Sequence, residues 1–276
     1  MRGLRRSERI VRLTQTLLEQ PYRLLSLTEM ADQLSSAKSS LSEDLSIIRD
    51  VLSKEGTGIL ETHAGAAGGV RYIPRIPAWQ VQDFVQEMCR ILADPERILP
   101  GGYLYISDIL GQPDVLDRAG RIFAHIFSEM EADYVLTVET KGIPLAVSTA
   151  RYLHLPTVVV RRDHRVTEGS AVSINYVSGS RRIQTMSLSR RSLPEHSRVL
   201  IIDDFMKAGG TAKALIDMMK EFKTAVAGIG VFMSTSEPED KMLEDYVSLT
   251  TLAHVDEISR EIQVSKGNFK LSDKER

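Results

Sequence analysis

The stretch Val199-Leu-Ile-Ile-Asp-Asp-Phe-Met-Lys-Ala-Gly-Gly-Thr-Ala-Lys-Ala-Leu215 constrains this chain more than any other. Four apolar residues, Val199 to Ile202, run without polar alternation, as a strand covered on both faces requires. They end in two adjacent carboxylates, Asp203 and Asp204, and a tight loop then opens a helix near Thr211. Such a loop at the C-terminal end of a strand aims free backbone N–H groups at one spot, where the helix dipole favours an anion. Gly209 and Gly210 let the backbone close around a phosphate, and the Thr211 hydroxyl can donate to it. Paired carboxylates suit the vicinal hydroxyls of a ribose. Phosphate donors at one end and diol acceptors at the other describe a ribose 5-phosphate. The same residues also read as a strand, turn and helix whose glycines serve packing alone. Neither a G-x-x-x-x-G-K-[ST] loop nor a G-x-G-x-x-G after a strand occurs.

Further strand and helix signals flank this stretch. Tyr134–Val138 predicts a strand, followed by Glu139-Thr-Lys-Gly-Ile-Pro144 and a helix, and Pro156–Arg161 predicts another strand. A long polar segment, 162–180, comes next, and the alternation resumes through Ala225–Phe232. The expected architecture is an α/β domain with a parallel sheet and helices on both faces, its ligand beyond the strands' C-terminal ends. Leu271–Arg276 reads as a frayed tail.

Pro74-Arg-Ile-Pro77 is the best internal boundary, because two prolines three apart resist helix and central strand alike. It divides the chain into 1–74 and 75–276. Residues 1–74 read as three helices and a hairpin. Ile10, Leu13, Leu17 and Leu18 form the stripe of a first helix, closed before Pro21. Ser26-Leu-Thr-Glu29 is a capping box for a short second one. Leu41, Leu45, Ile48 and Leu52 stripe a third. Ile59–Thr62 and Val70–Ile73 flank the glycine-rich turn Ala64–Gly69. That order is a winged helix-turn-helix, in which the third helix enters the major groove of DNA. Lys38, Ser39, Ser40, Ser42 and Arg49 would then face the duplex, with Arg5 and Arg6 from the arm and Arg71 from the wing. The competing reading has Ser40 and Glu43 capping the helix.

Charge bears on this reading only by its distribution. The 276 residues carry a net charge of −2, but residues 1–75 hold 11 Lys/Arg against 9 Asp/Glu, leaving 24 against 28 in the rest. Arg2, Arg5, Arg6, Arg9 and Arg12 face only Glu8 among the first dozen residues. Composition sets the remaining bounds. Cys89 is the one cysteine and cannot form an internal disulfide. No apolar run approaches the ~20 residues of a membrane span, and no signal-peptide core follows the basic start. A cytoplasmic protein without a membrane partner is expected.

The Val199–Leu215 stretch resembles the phosphoribosyl pyrophosphate-binding motif of type I phosphoribosyltransferases. The resemblance implies that Asp203, Asp204, Phe205, Met206, Lys207, Ala208, Gly209, Gly210 and Thr211 hold the ribose phosphate. It implies that the loop of Thr140, Lys141 and Gly142 binds pyrophosphate, and that a flexible loop over 162–180 closes on the ligand through Arg161, Tyr176 and Ser178, although the segment also reads as a surface hairpin with no ligand. Tyr103, in Pro100-Gly-Gly-Tyr-Leu-Tyr105, is expected at the base end, although an aromatic beside glycines is as often core. Mg²⁺ stays open, since two carboxylates can meet ribose directly or through a metal. His63 is assigned to the wing surface.

With a winged helix in front, the whole chain resembles the purine operon repressors of Gram-positive bacteria. The resemblance includes Ala37–Ser40, Gly65–Gly69, Pro100–Gly102, Thr140–Pro144, Ser173–Gly179 and Asp203–Thr211. It implies a homodimeric, non-enzymatic repressor of purine synthesis and transport genes that binds a double-stranded operator and requires no cofactor. Phosphoribosyl pyrophosphate would be the inducer, with purine nucleotides such as ppGpp competing at the same pocket. A lysine inside the phosphate loop favours holding a polyanion, whereas an enzyme must release pyrophosphate. The alternatives are an active purine phosphoribosyltransferase with an accessory nucleic-acid module, and an RNA-binding attenuator, which the separate winged segment disfavours.

Overall fold

A computed structural model describes residues 4–65, 68–163, 169–177 and 183–271, which divide into two compact units, the first running to Ala78 and including Tyr152–His154, the second holding the rest. The first unit is built from α1 (Arg6–Glu19), β1 (Leu24–Ser26), α2 (Leu27–Gln33), α3 (Lys38–Lys54), β2 (Gly58–His63) and β3 (Gly69–Pro74). Ser26 caps α2 by accepting from the Glu29 N–H at 3.4 Å. Leu13 and Leu17 of α1 pack with Met30 and Ala31 of α2 and with Leu41, Leu45, Ile48 and Leu52 of α3. The expected α1 stripe is corrected at Leu18, which is half-exposed because it lies past the edge of the arc that Leu13 and Leu17 bury. β2 and β3 form an antiparallel hairpin, and β1, a strand the sequence does not announce, pairs antiparallel with β3. A Cβ on Gly69 would strike the Leu25 carbonyl, so this glycine admits the third strand.

The second unit opens with α4 (Ala78–Leu92), a two-residue hairpin of β4 (Ile98–Leu99) and β5 (Tyr103–Leu104), and α5 (Pro113–Ile126). Then follow β6 (Tyr134–Val138), α6 (Ile143–Leu153), β7 (Thr157–Val160) and an antiparallel hairpin of β8 (Ala171–Val177) and β9 (Ile183–Ser189). β10 (Arg198–Met206), α7 (Gly210–Glu221), β11 (Ala225–Thr235), β12 (Val247–Asp256) and β13 (Glu261–Lys266) complete it. The main sheet has the order β13-β12-β11-β10-β6-β7.

Both faces of this sheet are covered, which is why Val199–Ile202 carry no polar alternation. On one face Ile201 and Val231 meet Leu215 and Met218 of α7. On the other, Phe123 of α5 and Ile202 crowd Gly230, where a Cβ would lie 2.8 Å from the Phe123 ring. The sheet departs from an all-parallel one at its edge: β13 runs antiparallel to β12, because the four residues joining them are too few for a crossover. The alternation also breaks between β11 and β12, where 236–246 is irregular chain rather than a helix. No described helix is long and apolar enough to cross a membrane.

Candidate functional site

The loop after β10 is held from outside. The Lys207 carbonyl accepts from Lys241 Nζ at 3.0 Å and from Thr235 Oγ1 at 3.4 Å, and the Ala208 carbonyl accepts from the Met242 N–H at 2.9 Å. A trans peptide points its C=O and N–H in opposite directions, so the N–H groups of Ala208 and Gly209 face the other way. Gly209 has φ +84°, a left-handed conformation open to glycine, and caps α7. A Cβ on it would meet Leu243 Cδ2 at 2.6 Å. The loop closes over a pocket of about 250 Å³, lined by Asp203, by every residue from Phe205 to Thr211, and by the ring of Tyr103. Its floor is apolar, with Ile201, Leu215 and Val231.

Asp203 is the electrostatic centre of this site. Burial, and then the neighbouring Asp204 charge, push its carboxyl well above the usual carboxylate range. The Asp204 backbone N–H donates to Asp203 Oδ1 at 2.9 Å, and the Arg162 charge pulls the other way. Asp203 lines the pocket and Asp204 beside it does not, and a cation or hydroxyl donors reaching Asp203 would offset the burial and the repulsion that raise it.

The loop after β6 reaches the same carboxylate. A Cβ on Gly142 would fall on Asp203 Oδ1 and lie 2.6 Å from Thr137 Oγ1, so glycine is needed for close approach and not for a positive φ. Thr137 is fully buried and its hydroxyl has no partner among the described residues. The Glu139–Thr140 peptide is cis. Glu139 gathers Arg161 (Nη1 to Oε2, 3.3 Å) and Arg162 (backbone N–H to Oε1 and Nε to the Glu139 carbonyl, both 3.2 Å). Thr140 and Lys141 stand exposed at the tip.

The structure therefore gathers Tyr103, Asp203 and Phe205–Thr211 in one pocket, with Gly142 packed against Asp203. Asp204, Thr140, Lys141, Arg161 and Tyr176 do not line that pocket. Tyr176 is buried in the core beneath β8, and its hydroxyl donates to Gln184 Oε1 at 2.8 Å. Ser178 lies outside the described residues. The end of β8 does reach the phosphate loop, since a Cβ on Gly210 would lie 2.6 Å from the Val177 carbonyl oxygen.

In the first unit α3 starts at Lys38 after Ala37, with no side-chain cap. Ser40 thus sits inside the first turn and does not cap. Lys38, Ser39, Ser42 and Arg49 are exposed along the helix; Ser42 Oγ donates to the Lys38 carbonyl at 3.0 Å, and Arg49 Nη2 donates to Thr62 Oγ1 of β2 at 2.7 Å. Arg71 is paired with Glu61 at 2.6 Å, and His63 lies 3.7 Å from the same carboxylate. The Arg5 backbone N–H donates to Glu8 Oε2 at 2.8 Å. Arg6 and Arg9 converge on Asp44 of α3, at 3.1 and 2.8 Å. Asp44 is fully buried, Arg9 nearly so, and Arg6 about half exposed. These two arginines hold α1 to the helix assigned to DNA, leaving Arg6 only partly available to a phosphate.

Two family models divide the chain along the same lines. The bacterial purine repressor N-terminal model matches residues 5–74, and the phosphoribosyl transferase domain model matches residues 106–265. The purine biosynthesis transcriptional repressor PurR of Bacillus subtilis is 52% identical over 96% of this chain and 93% of its own. The chain belongs to the PurR family of purine biosynthesis transcriptional regulators. Another PurR protein, the purine biosynthesis transcriptional activator of Lactococcus lactis, is 42% identical over 96% of this chain and 98% of its own. The second unit also has the phosphoribosyltransferase fold: an adenine phosphoribosyltransferase from Thermoanaerobacter pseudethanolicus superposes with a TM-score of 0.52 at 17% identity, over 59% of this chain and 97% of its own.

Some residues of this PurR-family site escaped the sequence reading. Asp44 carried a signal, an acid three residues from Leu41 on an otherwise apolar stripe. Glu139 and Lys241 carried none, because each is defined by loops far apart in sequence.

Proposed function

We propose that this chain regulates genes of purine biosynthesis and transport by binding an operator duplex as a homodimer, and that phosphoribosyl pyrophosphate releases it from the DNA. One observation carries the effector half: Asp203 and the 205–211 loop, whose Lys207 and Ala208 carbonyls are tied to the 241–242 segment, line a single pocket. A carboxylate that accepts hydroxyls and a cradle that donates to phosphate match the two ends of a ribose 5-phosphate. The pyrophosphate falls to the 140–142 loop, whose Gly142 touches Asp203. Purine nucleotides, ppGpp among them, offer phosphates to the same donors and so compete. The exposed row Lys38, Ser39, Ser42 on α3 supports the DNA half, since small hydroxyl side chains and one cation approach phosphates and base edges closely. A dimer fits because helix-turn-helix proteins read two half-sites on a duplex. The named PurR relatives are regulators, which supports a role without catalysis.

Mg²⁺ fits the donor set as a companion of the ligand. Asp203 and Asp204 would supply hard oxygens to such an ion, which would help neutralise the ligand's phosphates. Among the described residues no cluster of three or more metal-binding side chains occurs. The second reading, an active transferase, rests on the intact phosphate loop.

The test is fluorescence anisotropy of the full chain on a purine-operon control region, with and without phosphoribosyl pyrophosphate at fixed salt. Affinity should fall with the ligand, Asp203→Ala should abolish the fall, and a chelator should show whether Mg²⁺ takes part. Tight DNA binding that ignores the ligand would refute the effector assignment, and base-dependent pyrophosphate release would establish the transferase.

A further inference from the structure

The segment between β11 and β12 does more than connect strands. Along 235–243 it meets this loop three times, with Lys241 Nζ on the Lys207 carbonyl, the Met242 N–H on the Ala208 carbonyl and the Leu243 side chain against Gly209, while the Thr235 hydroxyl shares its proton between the nearer Glu237 carbonyl and that of Lys207. Lys241 is half-buried, and its ammonium is spent on two backbone carbonyls, Lys207 and Pro238, both at 3.0 Å, rather than on a carboxylate. Taking an ammonium partly out of water to hold carbonyls is costly unless their orientation matters.

Orientation matters here. The Lys207–Ala208 peptide runs straight into Gly209, which has no Cβ and a left-handed φ, so the turn that follows does little to fix that peptide's orientation. A peptide turned over would present its carbonyl oxygen to the pocket and repel an anion. We propose that Lys241 is a positioning residue for the bound phosphate: it never touches the ligand, but pins the Lys207 carbonyl outward and thereby keeps the Ala208 N–H aimed inward. A cation on the carbonyl also polarises that peptide, which makes its N–H the stronger donor. This inference rests on the effector reading above.

Isothermal titration of the full chain tests it, using phosphoribosyl pyrophosphate, ribose 5-phosphate and inorganic pyrophosphate as separate probes. Lys241→Met should weaken phosphoribosyl pyrophosphate and ribose 5-phosphate by the same factor, about tenfold, as expected when a charge-assisted hydrogen bond is lost. Inorganic pyrophosphate, assigned to the 140–142 loop, should bind unchanged, and Lys241→Arg should restore most of the lost affinity. Thr235→Val removes a hydroxyl whose single proton is shared between the nearer Glu237 carbonyl and the Lys207 carbonyl, and should give a smaller loss with the same pattern, a second route should Lys241→Met fold poorly. Wild-type affinity in both variants would overturn the proposal, as would an equal loss for all three probes, which marks general damage. If the wild-type chain binds none of the three, the effector reading itself falls, a result visible before any variant is made.

Discussion

Burial and the neighbouring Asp204 charge raise the pKa of Asp203. Its raised pKa means that the folded chain binds a proton more readily there than the unfolded chain does. Stability therefore falls as pH rises from the ordinary carboxylate range through Asp203's raised value, by ~1.4 kcal/mol per unit of displacement. Asp203→Asn removes the charge while keeping the shape. It should match the wild type in thermal unfolding near pH 4 and exceed it near pH 8, whereas a gain independent of pH would contradict the assignment. The paired acids were legible in the sequence because they are adjacent in it. Gly142 was legible as a glycine but not in its reason, which is the approach of Asp203 across 61 residues of chain. Tyr176 shows the converse. Val172, Ile174 and Tyr176 alternate along β8 with exposed Ser173 and Asn175, so the strand period places the ring inward. Reading 162–180 as a flexible loop that closes on a ligand, with a surface hairpin only as the alternative, concealed that period; β8 and β9 form that hairpin.

At the scale of elements, the contact of α1 with α3 separates stability from DNA affinity. Asp44 is a buried charge whose partners are a nearly buried Arg9 and an exposed Arg6. Asp44→Ala strands Arg9 and should cost about 3 kcal/mol, the usual order for breaking a buried pair. Arg6→Met leaves the Arg9–Asp44 pair intact and should cost under ~1 kcal/mol. Chemical denaturation of the three proteins orders them, and equal losses for both substitutions would refute the pairing. Lys38 is exposed in the first turn of α3 and forms no ion pair among the described residues. Lys38→Ala should leave unfolding unchanged, weaken DNA binding across sequences and lower the salt slope by about 1. An unchanged slope would remove Lys38 from the phosphate contacts. The helices and the hairpin were legible because apolar stripes and a glycine turn are local signals. β1 was not, because three residues, Leu24–Ser26, hold no period, and only β3 makes them a strand. The irregular 236–246 segment was hidden for a related reason: its order comes from the loop it braces.

For the whole molecule, a repressor and an activator share this chain's architecture at 52% and 42% identity, so the sign of regulation is not a property of the fold. What the fold must supply is coupling. If phosphoribosyl pyrophosphate lowers DNA affinity by some factor, DNA must lower phosphoribosyl pyrophosphate affinity by the same factor, commonly 5- to 150-fold, or ~1–3 kcal/mol. Two routes give such a factor. A polyanion added to a region already net negative, with 24 Lys/Arg against 28 Asp/Glu beyond residue 75, repels DNA directly. That route fades as the Debye length shortens from about 10 Å at 0.1 M salt towards 3 Å at 1 M. The other route is conformational: the ligand favours one of two states through hydrogen bonds at the phosphate loop, which salt screens little. On the proposed reading the donors are backbone N–H groups of the 207–210 loop, and Val177 of β8 lies against Gly210, so a phosphate ordered there would bear directly on the β8–β9 hairpin. The conformational route is therefore the one expected. Affinities measured in both directions across a salt series should give equal factors at each salt, and the factor should hold while DNA affinity itself falls steeply. A factor that shrinks towards one with added salt would assign the coupling to repulsion.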